Sequence, residues 1–253
     1  MSISKILVAN RGEIAMRVIR AARDLGIPTV AVHSTVDRES PHVRMADESF
    51  CIGPASSSES YLNIPTLLSV CEVTGADAVH PGYGFLSENA QFAELCGVSG
   101  ITWIGPPPAA INAMGDKIRA RELMQEAGVP ILPGTPGAIE DVAEAQAIAT
   151  GIGFPMILKA AAGGGGRGMK IVERAEDLEQ SWLTCSAEAE AAFGSGAVYM
   201  ERFLRSPRHV EFQVVLDQYG QGVHLFERDC SVQRRHQKLV EEAPCVVLEE
   251  KSR

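Results

Sequence analysis

The apolar positions of this chain alternate between short solid runs and helically spaced stripes. Lys5-Ile-Leu-Val-Ala9 reads as a buried strand and Asn10-Arg-Gly-Glu13 as a turn. Ile14, Ala15, Val18, Ile19, Ala22 and Leu25 then recur at helical spacing up to Gly26, before a second strand at Thr29-Val-Ala-Val-His33. Such a start implies a parallel sheet covered by helices. The alternation continues with a helix over 61–74 carrying Pro65 in its first turn, a strand over 77–80, a helix over 90–97 and a strand over 101–104. Gly105-Pro-Pro-Pro108 then breaks it. This pattern predicts an open α/β domain ending near residue 110. Ligands of such folds sit beyond the carboxyl ends of the strands, where the loops Asn10–Glu13 and His80–Asn89 lie.

Past the break the pattern changes. Helices are predicted over 116–127, ending at Gly128, and over 140–150, with a Pro- and Gly-rich loop between them. Strands at 155–159 and 169–173 flank a run of glycines, followed by a helix over 176–192 and a strand over 198–203. His209-Val-Glu-Phe-Gln-Val-Val-Leu216 begins by alternating polar and apolar residues, as a half-buried antiparallel strand does, and 223–228 is its return. The second half is therefore α+β.

The glycine run, Lys159-Ala-Ala-Ala-Gly-Gly-Gly-Gly-Arg-Gly-Met-Lys170, brings in chemistry. Four successive glycines bury no side chain and cost entropy to order. They offer bare N–H groups to an anion, and with Lys159, Arg167 and Lys170 around them they read as a phosphate cradle. The alternative is a flexible linker, which the strand-like runs on both sides argue against. A P-loop would need lysine where Met169 stands. A dinucleotide fingerprint would need a helix after the glycines. A glycine-rich hairpin between two strands instead suits a grasp-type ATP site, in which the hairpin lies over the phosphates.

Composition narrows the classes. A net charge of −9 argues against broad nucleic-acid or membrane-surface binding, and no stretch is long enough for a membrane span. The six cysteines form no C-x-x-C pair and the N-terminus carries no secretory pattern, so reduced thiols in a cytoplasmic protein are expected. Lys159 can meet a phosphate as a point charge. Lys117 reads by default as a solvated helix lysine, and His80 and His209 as structural histidines. The polar stretch Glu227–Glu242 suits either a small-anion site or a solvated face.

Taken together these segments resemble biotin carboxylases, members of the ATP-grasp ligases. The matching stretches are Ala9–Ile14, His80–Asn89, Met114–Lys117, Lys159–Met169, Tyr199–Glu201, Pro207–Glu211 and Glu227–Pro244. The resemblance runs from residue 3 to about 244. It implies a Rossmann-like, pre-ATP-grasp parallel-sheet domain over 1–112 and an incomplete α+β ATP-grasp domain over 113–253, with a lid subdomain at about 130–203. It implies ATP-dependent carboxylation of carrier-bound biotin with bicarbonate and Mg2+ or Mn2+, through carboxyphosphate. The partners implied are a biotin carboxyl carrier protein or domain, a carboxyltransferase and a second copy of the chain; neither nucleic acid nor membrane is expected. Other ATP-grasp ligases of the carboxylate-amine or carbamoyl-phosphate type, or a non-catalytic nucleotide-binding remnant, are the alternatives. Arg234–Lys238 and Tyr83–Ser87 favour biotin carboxylase over them.

The resemblance also carries residues. Lys117 and Lys159 match phosphate-contacting lysines, which reverses the default for Lys117. Gly165 and Gly166 match the mobile loop over the nucleotide. Glu201, Arg202, Phe203 and Leu204 match the segment holding adenine and ribose, and His209, Gln233 and His236 match further ATP-site positions. Lys238 matches the bicarbonate-binding lysine. The metal ligands of the family would lie beyond Arg253, so none is assigned here. On that ground the polypeptide alone is expected to lack biotin carboxylation, to hydrolyse ATP weakly or not at all, and to have reduced solubility, with an open sheet edge at 209–228.

Overall fold

The computed structural model describes residues 3–115, 117–139, 141–161, 168–217, 219–234 and 237–252. The chain divides into two compact units, Met1–Gly128 and Val129–Arg253.

In the first unit the elements are β1 (Ile6–Val8), α1 (Gly12–Asp24), β2 (Thr29–Ser34), α2 (Pro41–Met45), β3 (Glu48–Gly53), α3 (Ile64–Thr74), β4 (Ala78–His80), α4 (Ala90–Val98), β5 (Thr102–Trp103), α5 (Pro108–Gly115) and α6 (Lys117–Glu126). The five strands run in the order β3-β2-β1-β4-β5, and every pairing is parallel. Strand alternation sorts the core into two layers. Ile6, Val8, Ala31 and Ala78 meet Ala15, Val18, Ile19 and Ala22 of α1 on one face. Leu7, Val30, Val32 and Val79 meet Leu67, Val70 and Cys71 of α3 and Phe92 and Cys96 of α4 on the other. A solid apolar run in β1 is the consequence of burial on both faces. Fully burying a side chain such as Leu7 or Phe92 contributes about 2 kcal/mol.

Three elements of this unit escape the sequence pattern. β3 is an edge strand, mostly exposed, and so lacks an apolar run. α2 is a single short turn after Ser40. The third proline of the breaker starts α5, because proline is well placed where a helix needs no N–H. The helix expected from 61 begins at Ile64, with Asn63 accepting the Thr66 N–H at 3.1 Å and Pro65 in the first turn.

The second unit contains α7 (Val142–Ile152), β6 (Met156–Ala160), β7 (Met169–Val172), α8 (Leu178–Phe193), β8 (Val198–Arg202), β9 (Val210–Leu216), β10 (Gly222–Arg234) and β11 (Gln237–Glu242). One antiparallel sheet has the order β7-β6-β8 and a second the order β11-β10-β9. The first is covered by helices: Ala145, Ala149 and Ile152 of α7 and Leu178, Trp182 and Cys185 of α8 share one apolar cluster with Met156, Leu158, Val172, Val198 and Met200. The segment 134–139 bridges the outer edge of β8 at Glu201 and Val198. β11 pairs with β10 as a third strand, and β9, within the segment expected to carry an open edge, is the edge strand of this sheet. Among the described residues no helix is long and apolar enough to cross a membrane.

Candidate functional site

In the first unit, the loops at the carboxyl ends of β1 and β4 are tied to each other. Asn10 donates through Nδ2 to the carbonyls of Pro81 (2.7 Å) and Tyr83 (2.8 Å). Tyr83 donates its hydroxyl to Glu13. A Cβ on Gly82 would lie 2.9 Å from Asn10 Nδ2, and its φ is +64°, so only glycine fits this approach. Beside it Asp37, 6% exposed, accepts from Arg11 Nε (2.8 Å) and Nη2 (2.6 Å), Ser34 Oγ (3.0 Å) and Tyr61 Oη (2.7 Å). The Arg11 guanidinium holds the Asp37 carboxyl far below the usual carboxylate range. Tyr61 stacks on Phe85 with ring centroids 5.0 Å apart, which fastens the 80–89 loop to the network. The crevice expected at this end is thus laced by the protein's own polar groups. The Nδ1 of His80 accepts the Gly82 N–H at 3.0 Å, and burial lowers its pKa.

The second unit is arranged differently. Directly opposed residues of an antiparallel pair share a face. In the β7-β6-β8 sheet Ile157 lies opposite Ile171 and Glu201, and Lys159 opposite Met169 and Tyr199. This set forms the half-exposed face, while Met156, Leu158 and Ala160 turn to the helices. Lys159 therefore stands among apolar side chains, ion-paired to Glu201, at the strand end that leads into the glycine run. Arg202 has the opposite parity: it faces Met156, and its Nη1 lies 3.5 Å from the Ile152 carbonyl at the end of α7. The backbone N–H of Arg202 is taken by Pro133 and that of Phe203 by Pro155. Leu204 is exposed.

The β11-β10-β9 sheet holds the remaining sequence-predicted positions. Gln233 Nε2 lies 2.8 Å from His209 Nδ1 and 2.9 Å from the Cys230 carbonyl, an arrangement that leaves the ring proton on Nε2. Lys238 is directly opposite Gln233 and ion-pairs with Glu211. Glu211 also accepts from Arg228 Nε at 2.6 Å, and Arg228 Nη2 reaches Gln213 at 3.0 Å. Lys238, then Arg228, lower the Glu211 pKa, and Glu211 raises that of Lys238, so both are charged at neutral pH. Glu211 and Arg228 received no role from the sequence. Their signal was present in the register, since they sit opposite each other on β9 and β10. The side chain of Lys117 and residues Gly165, Gly166 and His236 lie outside the described residues.

Glu211, Cys230 and Glu241 bring one ligand atom each within 4.8 Å of one another. They do not fit a hard divalent cation. Two cations already engage Glu211, and burial raises the Cys230 thiol, a soft donor in any case.

Residues 2–111 match the family model described as the N-terminal domain of biotin carboxylase. Residues 116–253 match that of the ATP-binding domain of the carbamoyl-phosphate synthase L chain. The chain is 56% identical to the biotin carboxylase of Haemophilus influenzae over 252 residues, 99% of this chain and 56% of that protein. The chain belongs to the biotin carboxylase family. Biotin carboxylase 1 of Bacillus subtilis is 54% identical, over 99% of this chain and 56% of that protein. The Campylobacter jejuni biotin carboxylase solved as a β-γ-ATP complex superposes with a TM-score of 0.89 at 51% identity, over 99% of this chain and 56% of that one. The biotin carboxylase domain dimer of Hydrogenobacter thermophilus 2-oxoglutarate carboxylase, solved with MgADP, ADP and bicarbonate, gives 0.87 at 50% identity, over 100% and 56%. The chain thus spans about half the length of the relatives it matches, and its biotin carboxylase fold pairs a parallel-sheet N-terminal part with an ATP-grasp-like part of antiparallel sheets.

Proposed function

We propose that this chain supplies the nucleotide- and bicarbonate-binding part of an ATP-dependent biotin carboxylase. One observation carries the reading: among the described residues Lys159 is ion-paired to one exchangeable carboxylate, on a half-exposed face with Ile157, Met169 and Ile171, next to the glycine run in sequence. An apolar face with one cation suits a purine nucleotide, whose base is flat and whose phosphates are anionic. Lys159 and Lys117 neutralise the phosphoryl oxygens, Gly165 and Gly166 donate N–H groups to them, and the 201–204 segment receives adenine and ribose. His209, Gln233 and His236 complete the nucleotide side, with Gln233 already oriented by His209. Lys238 holds bicarbonate, exchanging Glu211 for the substrate. A bicarbonate oxygen attacks the γ-phosphorus as the bond to ADP breaks. The resulting carboxyphosphate splits to phosphate and CO2, and biotin takes up the CO2 as its ureido nitrogen loses a proton. Positioning and charge neutralisation do most of this work. The Hydrogenobacter thermophilus domain dimer was solved with MgADP; no described trio here fits that ion, and no step is assigned to it.

The domain limits that go with this reading are 1–112 and 113–253, with a lid over about 130–203. A second copy of the chain, a biotin carboxyl carrier and a carboxyltransferase are its partners, and the cytoplasm is its location. Titration of the purified chain with MgATP tests the core of it. Binding is expected, and Lys159→Met is expected to weaken ATP by about tenfold or more, the scale of one lost charge-assisted contact, while AMP affinity changes little. A wild-type chain that takes up no MgATP overturns the proposal.

A further inference from the structure

Lys170 flanks the glycine run, yet it does not join Lys159 on the open face. It lies opposite Leu158, on the side covered by α8, and pairs with Glu188 at 2.8 Å. Three residues before Glu188, the fully buried Cys185 donates its thiol to the Gly168 carbonyl at 3.2 Å. That carbonyl also accepts the Ala160 N–H at 2.9 Å, and the Ala161 N–H is taken by Ala197 at 2.9 Å. Burial pushes the Cys185 thiol up to about 11, which keeps its proton in place at neutral pH.

The face assignment of β7 depends on these contacts. A one-residue slip of a strand turns every side chain to the other face. Here it would carry Met169 and Ile171 under α8 and put the Lys170 ammonium on the open face. Three or four apolar residues alone specify register weakly in so short a strand; a charge that finds its partner only on the α8 side specifies it better.

We propose that Cys185 and Glu188 are positioning residues, which hold β7 in the register that places Met169 and Ile171 beside Lys159. The role for the nucleotide rests on the function proposed above; the register itself does not.

The test therefore has two arms. Ala160 and Gly168 are a hydrogen-bonded pair, so Ile157 and Ile171 form a non-hydrogen-bonded pair, where side chains are closest. An Ile157→Cys/Ile171→Cys protein, mildly oxidised and read by peptide mass spectrometry, should crosslink between these positions. Adding Cys185→Ala and Glu188→Gln should cut the yield about fivefold, the equilibrium worth of a lost hydrogen bond. In the second arm, without the engineered pair, the same two substitutions should weaken MgATP about fivefold, and the exchanged pair Lys170→Glu/Glu188→Lys should bind like wild type. Unchanged crosslinking overturns the proposal, as does a loss of affinity with Glu188→Gln that the exchanged pair fails to restore. A wild type that crosslinks but binds no MgATP sinks the proposed function and leaves the register assignment standing.

Discussion

The two units treat charge in opposite ways. In the first, Asp37 is nearly buried and saturated by Arg11, Ser34 and Tyr61. In the second, Lys159 and Lys238 are about a third exposed and ion-paired to the side chains of Glu201 and Glu211. A buried charge with every lone pair engaged is part of the scaffold, because removing a partner strands the rest. A lysine at a surface whose carboxylate partner can be exchanged costs little to free, because such pairs are worth about 0–1 kcal/mol. Perturbation alone does not mark a ligand site. The most strongly shifted carboxylate described, Asp37, belongs to the network that closes a crevice.

The sharpest way to break this comparison is to remove Asp37. Asp37→Ala leaves Arg11, Tyr61 and Ser34 without their shared acceptor, and a loss of about 3 kcal/mol is expected in the first unit. Urea unfolding followed by tryptophan fluorescence of Trp103, which packs on Phe92 in that unit, would measure it. MgATP affinity should stay within about twofold of wild type. If Asp37→Ala instead abolishes nucleotide binding without loss of stability, the assignment of roles to the two units is reversed.

A second test uses pH. His42 is fully buried; its Nε2 lies 3.3 Å from the Val32 carbonyl, and its Nδ1 has no hydrogen-bond partner in the structure. Burial lowers its pKa, with the Val32 carbonyl and Asp37 opposing and Arg11 and His33 assisting. The unfolded chain then binds a proton before the folded one does. Stability from this group is complete above the ordinary histidine value of 6.5 and is lost as pH falls below it. His80 has the same sign. As pH falls below 6.5 the unfolding free energy should fall by up to about 1.4 kcal/mol per pH unit for each such group, and His42→Leu should remove one proton from that slope. A slope unaltered by His42→Leu would show that the histidine does not titrate between the two states.

Much of this division was legible in the sequence. The solid apolar run of β1 and the stripe of α1 implied a parallel sheet covered by helices, and the strand–glycine–strand order implied a hairpin. The first unit's network was not legible, because Asp37 and Tyr61 lie 26 and 50 residues from Arg11 and meet it only through the crossover topology. The sequence placed loops at the carboxyl ends of β1 and β4 but held no sign that Asn10 would cross-link them. Lys170 shows a local limit: beside the glycines it reads as a phosphate ligand, and strand parity alone turns it toward Glu188. β3 was silent because an exposed edge strand has no hydrophobic signature.

Arg202 gives the finest test, since strand parity separates it from its neighbour. Glu201 shares the open face with Lys159, whereas the Arg202 guanidinium rests against the end of α7. There it meets the carbonyl of Ile152, the last residue of α7, where a cation is favoured by the helix dipole. The fit is close: a Cβ on Gly153 would stand 2.3 Å from Nη1. Within the 201–204 segment, then, the Arg202 side chain is engaged at the end of α7 and its backbone N–H by Pro133. Arg202→Gln should cost about 0.5–1 kcal/mol of stability through the lost contact with the helix end, and Gly153→Ala should cost at least as much by expelling the guanidinium and straining a residue at φ +77°. Neither should move MgATP affinity beyond about twofold, in contrast to Glu201→Gln one residue away, which releases Lys159. Calorimetric titration of the three variants decides it. A loss of affinity in Arg202→Gln matching that of Lys159→Met would mean that the guanidinium leaves α7 for the nucleotide, and the parity rule that separates scaffold from site would fail at this strand.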